Sequence, residues 1–146
     1  MRETPEKLIV EPTTRCNFQC DMCVKQSRGC RIVEGDLDHD VFSACSDLFP
    51  SIKSVIFTGI GEPLLNDSLE DYISRARAQM PEKSIRGFQT NGKLLTRDRA
   101  ISLLQAGTNK ICVSVDTVRP ELFDTVRDGG TLSDINQAFD ALNTAR

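Results

Sequence analysis

"RCNFQCDMC", residues 15–23, sets three thiols within eight positions of a 146-residue chain that holds a single histidine. The stretch follows a short apolar run, Leu8-Ile9-Val10, and leads into polar sequence as far as Val33, so it reads as a long loop after a first strand. A loop can wrap thiols at this CxxxCxxC spacing around one centre, whereas a straight helix would spread them along its length.

The same order of strand, polar loop and amphipathic stretch continues down the chain. Ser54-Val55-Ile56-Phe57 reads as a second strand, 85–89 as a third and 110–115 as a fourth. Val41, Ala44, Cys45 and Leu48 share one helical face behind a cap at Asp38, and Leu69, Tyr72, Ile73 and Ala76 share another behind Asn66 or Asp67. Thr96 caps a third helix with Ile101 and Leu104 inward and Gly107 as its left-handed stop. Leu132, Ile135, Phe139 and Leu142 mark a last helix behind Thr131. Strands apolar on both faces and separated by helices imply a parallel sheet. The expected fold is therefore α/β, a parallel-sheet partial (β/α) TIM-like barrel of about four βα units, with no repeat or linker to divide it. Chemistry in such folds collects in the loops after the strands. Those loops are 13–33, Thr58-Gly59-Ile60-Gly61-Glu62-Pro63, Thr90-Asn91-Gly92 and the segment from Asp116 onward.

Composition narrows the function classes. With 39% apolar residues the chain can bury one core, and a net charge of -3 with mixed signs leaves no basic stripe for nucleic acid. The charged start, Met1-Arg2-Glu3-Thr4-Pro5-Glu6-Lys7, fits neither a signal peptide nor a membrane span. A cytoplasmic location is expected, where thiols stay reduced and clustered cysteines serve as metal ligands or redox groups. Two readings of the cluster then stand. Cys16, Cys20, Cys23 and Cys30 can close a zinc knuckle, or the first three can hold a [4Fe-4S] cluster with one iron left open to another ligand. Cys45 and Cys112 read as small hydrophobes, and His39 as a first-turn surface residue.

CxxxCxxC after a first strand, Gly-Glu-Pro after the second and Ser-x-Asp at the fourth resemble the radical S-adenosylmethionine (SAM) enzymes, and among them the SPASM-type maturases. The resemblance implies that Cys16, Cys20 and Cys23 hold a [4Fe-4S] cluster whose unique iron chelates the methionyl group of SAM. An electron from the reduced cluster then cleaves SAM to methionine and a 5'-deoxyadenosyl radical, which takes a hydrogen atom from substrate. Gly59, Gly61, Glu62 and Pro63 match the segment that meets the methionyl amino group, with Ile60 where the family often has glycine. That difference is harmless at negative φ and damaging at positive φ. Asn91 belongs to a similar Thr-Asn-Gly. Ser114 and Asp116 match residues near the ribose and carboxylate, Arg127 one that answers the carboxylate, and Met22 stands where an aromatic commonly packs on adenine.

The implied partners are SAM, a reducing electron donor such as flavodoxin or ferredoxin, and a peptide, protein or cofactor-precursor substrate. Neither nucleic acid nor membrane is implied. The family's core usually has six βα units, so residues 1–146 are expected to be a single domain, a truncated core with its cluster loop at 13–33. Ile111, Val113 and Val115 then leave an apolar far edge on the fourth strand, through which a homo-oligomer is expected. The alternative to the enzyme is a non-catalytic metal-binding fragment, either the zinc knuckle or a remnant with an incomplete site.

Overall fold

A computed structural model describes residues 5–27 and 29–145; the first four residues of the charged lead-in, residue 28 and residue 146 lie outside it. Four parallel strands, β1 (Lys7–Val10), β2 (Ser54–Phe57), β3 (Ile85–Thr90) and β4 (Lys110–Val113), stand side by side in sequence order. Between them run α1 (His39–Ala44), α2 (Leu69–Gln79) and α3 (Arg97–Ala106), followed by α4 (Pro120–Val126) and α5 (Leu132–Thr144). Right-handed crossovers return α1, α2 and α3 to the same side of the sheet, and α5 packs against α3.

The register shows what the helices cover. Val10 lies opposite Phe57, Phe57 opposite Phe88 and Phe88 opposite Ile111. Val10, Phe57 and Phe88 are buried, and Ile111 packs against the same core. The alternate row, Ile9, Ile56, Gly87 and Lys110, points the other way, and Ile9 is 60% exposed. Helices α1, α2, α3 and α5 thus meet the core row, while Ile9 on the alternate row stays exposed. Cys112, read as a small hydrophobe, is exposed, two residues from Lys110 on that alternate row.

Three helical faces differ from the expected ones. In α1 the buried residue is Phe42, while Val41 is 56% exposed and Ala44 is exposed. The helix closes after six residues and continues as a 3-10 turn, Ser46–Leu48, so a single 3.6-residue period does not run from Val41 to Leu48. Phe42 instead joins an aromatic group, 4.3 Å from Tyr72 and 5.6 Å from Phe49 between ring centroids. In α3 the fully buried residues are Ala100 and Leu103, with Ile101 and Leu104 on the flanks of the stripe. In α5 Ile135, Ala138 and Ala141 are buried and Phe139 is 47% exposed. Alanines centre both stripes because α3 packs against its neighbours α2 and α5, where small side chains permit close approach.

Punctuation was read more accurately than phase. Asp38 Oδ1 accepts from the Asp40 N–H, Thr96 Oγ1 from the Arg99 N–H, and Gly107 ends α3 at φ +115°. Thr131 and Asp134 form a capping box on α5. The cap of α2 is Ser68 rather than Asn66 or Asp67, and Asn66 supports it by accepting the Ser68 N–H. β4 ends at Val113 rather than residue 115, although Ser114 N–H still reaches the Thr90 carbonyl at 2.9 Å. Helix α4, with Pro120 in its first turn, had no counterpart in the reading.

Phe42 and Val41 separate the two views of α1. Phe42→Ala is expected to cost about 3–5 kcal/mol of unfolding free energy and Val41→Ala less than about 0.5 kcal/mol, measured by urea denaturation; equal losses would contradict this packing.

Candidate active site

The described residues of 13–33 form a loop closed at its base. Thr13 bridges Asp36 in antiparallel fashion, Thr13 Oγ1 donates to the Gly35 carbonyl (3.1 Å) and Thr14 Oγ1 to the Val33 carbonyl (3.0 Å). Lys25 Nζ ties the interior, donating to the Thr14 carbonyl at 2.7 Å and to Glu34 Oε1 at 2.6 Å. Arg15 clamps the Asp36 carboxylate with two nitrogens at 2.7 to 3.1 Å and reaches the Leu65 carbonyl at 2.8 Å. Although partial burial pushes the Asp36 carboxyl up, its hydrogen bonds from Thr13 and Arg15, with the Arg15 charge, hold it below the usual carboxylate range. The cysteines themselves sit on turns: Cys23 N–H donates to the Cys20 carbonyl and Gln26 N–H to the Cys23 carbonyl, both at 2.9 Å.

The other rim loops grip this one from above. Glu62 N–H donates to the Arg15 carbonyl at 2.7 Å. A Cβ at Gly61 would lie 2.2 Å from the Thr13 carbonyl oxygen and 2.5 Å from that of Arg15, so close backbone approach requires glycine there. Asn91 Nδ2 donates to Asn17 Oδ1 at 2.7 Å. Gln19 N–H donates to the Asp128 carbonyl at 2.8 Å, and Lys93 Nζ donates to the Gly129 carbonyl at 2.6 Å while lying over the buried Phe18 ring. A Cβ at Gly130 would fall 2.0 Å from Phe18, so glycine also admits that ring.

These contacts enclose a cleft of about 260 Å³ at the carboxyl ends of the strands. Cys16, Cys20 and Cys23 face it together, with Met22, Gly59, Gly61, Glu62, Asn91, Ser114, Asp116 and Arg127. Of the cluster- and SAM-site residues that the resemblance implies, Pro63 alone stands outside the lining; it is buried at the start of a 3-10 turn, Pro63–Leu65. Ile60 also lines the cleft, and its φ is not positive, so the departure from glycine there is tolerated.

Two side chains are engaged differently from expectation. The Glu62 carboxylate is 2% exposed and accepts from Thr90 Oγ1 (2.7 Å), the Asn91 N–H (2.7 Å) and the Leu64 N–H (3.1 Å). It acts first as a crosslink between the loops after β2 and β3, because a buried carboxylate must be satisfied from within the chain. Burial nonetheless outweighs these donors and raises its pKa above the ordinary glutamate range. Arg127 and Asp116 pair with each other through Nε and Oδ2, so the arginine is already half-neutralised inside the cleft. Ser114 Oγ accepts from Gln89 Nε2 at 3.1 Å.

All six cysteines are free thiols. Burial pushes the thiols of Cys16 and Cys20 up, with the Arg127 charge opposing it at Cys20. Among the described residues no three His, Cys, Asp or Glu side chains converge closely enough to hold a single metal ion, and Cys30 does not line the cleft. Three thiols spread around one cavity suit a multi-iron group better than a zinc knuckle. Asn17, Phe18, Lys93 and the segment 128–130 have no place among the residues expected from the sequence; the turn pattern Asp128-Gly129-Gly130 is the signal that could have pointed to the last of them.

A parallel α/β sheet with its polar loops gathered over a thiol-lined cleft is a cofactor-enzyme scaffold of the partial-barrel class. The chain belongs to the Radical SAM superfamily, which it matches over residues 10–146. It is 34% identical over 114 residues to a tungsten-containing aldehyde ferredoxin oxidoreductase cofactor-modifying protein of Pyrococcus furiosus, covering 76% of this chain and 31% of that protein. Against a GTP 3',8-cyclase of Streptomyces coelicolor it is 32% identical over 142 residues, covering 94% and 41%. Among solved structures, anSMEcpe with bound AdoMet superposes with a TM-score of 0.78 at 22% identity, over 97% of this chain and 41% of that one. Methylornithine synthase (PylB) superposes with a TM-score of 0.75 at 14% identity, over 95% and 41%. These two likenesses are of fold. The chain spans about a third to two fifths of the length of these curated relatives. Radical SAM proteins are enzymes whose cofactors are a [4Fe-4S] cluster and SAM. No helix among the described residues is long and apolar enough to cross a membrane.

Removing the Glu62 carboxylate strands three donors. Glu62→Ala is expected to lower stability by on the order of 3 kcal/mol, measured by denaturant unfolding. With its folded pKa raised, the Glu62 side chain makes its full contribution to stability below the ordinary glutamate value, where it is protonated, and loses part of it as pH rises through the raised pKa. Wild type should therefore lose stability relative to Glu62→Gln as pH climbs from about 4.3; a gap constant in pH would refute the burial argument.

Proposed function

We propose that this chain is the cluster- and SAM-binding part of an enzyme that cleaves SAM reductively and directs the 5'-deoxyadenosyl radical at a hydrogen atom of its substrate. The observation that carries the reading is that Cys16, Cys20 and Cys23 face the same cleft as Gly59, Glu62, Asn91, Ser114, Asp116 and Arg127, at the carboxyl ends of four parallel strands. When bound, the cluster supplies the low-potential electron that splits the sulfonium-carbon bond.

This chain's residues bind and orient. The thiols of Cys16, Cys20 and Cys23 would hold the cluster, and the loop closure by Thr13, Arg15 and Asp36 keeps their turns in place. The Gly59–Gly61 backbone and Asn91 form the wall for the methionyl group. The Glu62 carboxylate, with three donors on two oxygens, keeps one acceptor position for an ammonium. Ser114 and Asp116 serve the ribose side, and Arg127, held by Asp116, presents its terminal nitrogens to a carboxylate. Met22, 56% exposed at the mouth, covers adenine.

The substrate is a cofactor precursor in preference to a peptide or protein, a choice supported by the similarity to the cofactor-modifying protein of Pyrococcus furiosus. A flavodoxin or ferredoxin delivers the electron, and the location is the cytoplasm, where six free thiols remain reduced. Residues 1–146 form one domain of the core. Self-association through the outer edge of β4 belongs to the same proposal, supported by β4 pairing with β3 alone among the described residues.

Anaerobic reconstitution with iron and sulfide, reduction and assay for 5'-deoxyadenosine test this. Cys16→Ser, Cys20→Ser and Cys23→Ser should each abolish deoxyadenosine and lower bound iron, whereas Cys30→Ser should change neither. Tight binding of one zinc that depends on Cys30 would overturn the reading.

A further inference from the structure

Glu11 stands one residue beyond β1 and takes no part in the cleft lining. Its Oε1 accepts the N–H of Ile60. A Cβ added at Gly59 would fall 2.1 Å from that same oxygen, 2.4 Å from Glu11 Cγ and 2.5 Å from Cδ. One carboxylate therefore accounts both for glycine at position 59 and for the orientation of the peptide that follows it. Gly59 does not have positive φ, so its conformation alone makes no demand for glycine; the neighbouring carboxylate does.

A peptide unit is planar and trans, with its N–H and C=O pointing in opposite directions. With the Ile60 N–H turned onto Glu11, the Gly59 carbonyl points away from Glu11. Gly59 and Ile60 line the cleft while Glu11 does not, so that opposite side is the cleft side. The carbonyl is an acceptor pre-set before any ligand arrives, at no further ordering cost on binding.

We propose that Glu11 is a positioning residue, whose carboxylate holds the Gly59–Ile60 peptide so that the Gly59 carbonyl accepts from the ammonium group of bound SAM. This rests on the cleft being the SAM site. Glu11 touches no ligand. It acts through the peptide, which makes its effect specific to the amino group of the ligand.

The test compares reconstituted wild type, Glu11→Ala, Glu11→Gln and Gly59→Ala, each titrated anaerobically with SAM and with a SAM analogue lacking the α-amino group, alongside iron and sulfide content. Iron content should be equal in all four. Glu11→Ala should bind SAM about tenfold more weakly and the deaminated analogue as wild type does. Glu11→Gln, whose amide oxygen can accept the same N–H, should restore SAM binding, and Gly59→Ala, which evicts the carboxylate, should match Glu11→Ala. Should Glu11→Ala fail to fold, Glu11→Asp, which withdraws the carboxylate by one methylene, reports the same quantity. Undiminished SAM affinity in Glu11→Ala, or equal weakening of both ligands, overturns the inference while leaving the SAM site standing. A wild type that takes up iron but binds no SAM overturns the functional reading and this inference with it.

Discussion

The buried carboxylate of Glu62 is the constraint on which the rim depends. A carboxylate with almost no access to water must find its donors inside the chain, and it finds them in Thr90, Asn91 and Leu64. Its own N–H meanwhile donates to Arg15, beside the first cysteine. One residue thus joins the loops after β1, β2 and β3, three segments that the sheet alone would leave free to move. Asn91 extends the joint through its carboxamide to Asn17. The cysteine loop is thereby fastened on both sides of Cys16, and the cleft inherits its shape from hydrogen bonds that no ligand has to supply.

A second set of contacts holds the far side of the loop. Phe18 is buried beneath Gly130, Lys93 spans the ring to the Gly129 carbonyl, and Gln19 donates to Asp128. Asp128, Gly129 and Gly130 follow α4, whose last turn leads to Arg127. The segment that seats the phenylalanine is therefore the one that delivers the arginine to the cleft. Glycines recur along the rim for a steric reason at 59, 61 and 130, where backbone or side chain from another loop occupies the space of a Cβ.

The sheet explains why this rim lies open to one side. Helices α1, α2, α3 and α5 contribute to the core that buries Val10, Phe57 and Phe88, and on the alternate row Ile9 is exposed. In a barrel wall that second row faces the interior, below the cleft at the strand ends.

How much was legible in advance follows from the range of each interaction. Strand runs, caps and the CxxxCxxC loop are local, and Asp38, Thr96, Gly107, Thr131 and the three cysteines were readable because their partners lie within a few residues or their spacing is itself the signal. Helix phase was misread in α1, α3 and α5, since the side chain that turns inward depends on which neighbours press on the helix; Phe42 wins over Val41 because Phe49, Phe57 and Tyr72 are there to meet it. The gathering of the rim residues in one cleft was foreseeable from parallel strands, which bring their following loops to one end. What the sequence alone determined is the parallel order of elements and the identity of the thiol loop. What only the tertiary structure decided is the set of partners of each charged side chain: Glu62 with Thr90 and Asn91, Asp116 with Arg127, Glu11 with Ile60. Those pairings join residues 11 to 49 positions apart, across distances that only the folded sheet brings within a hydrogen bond.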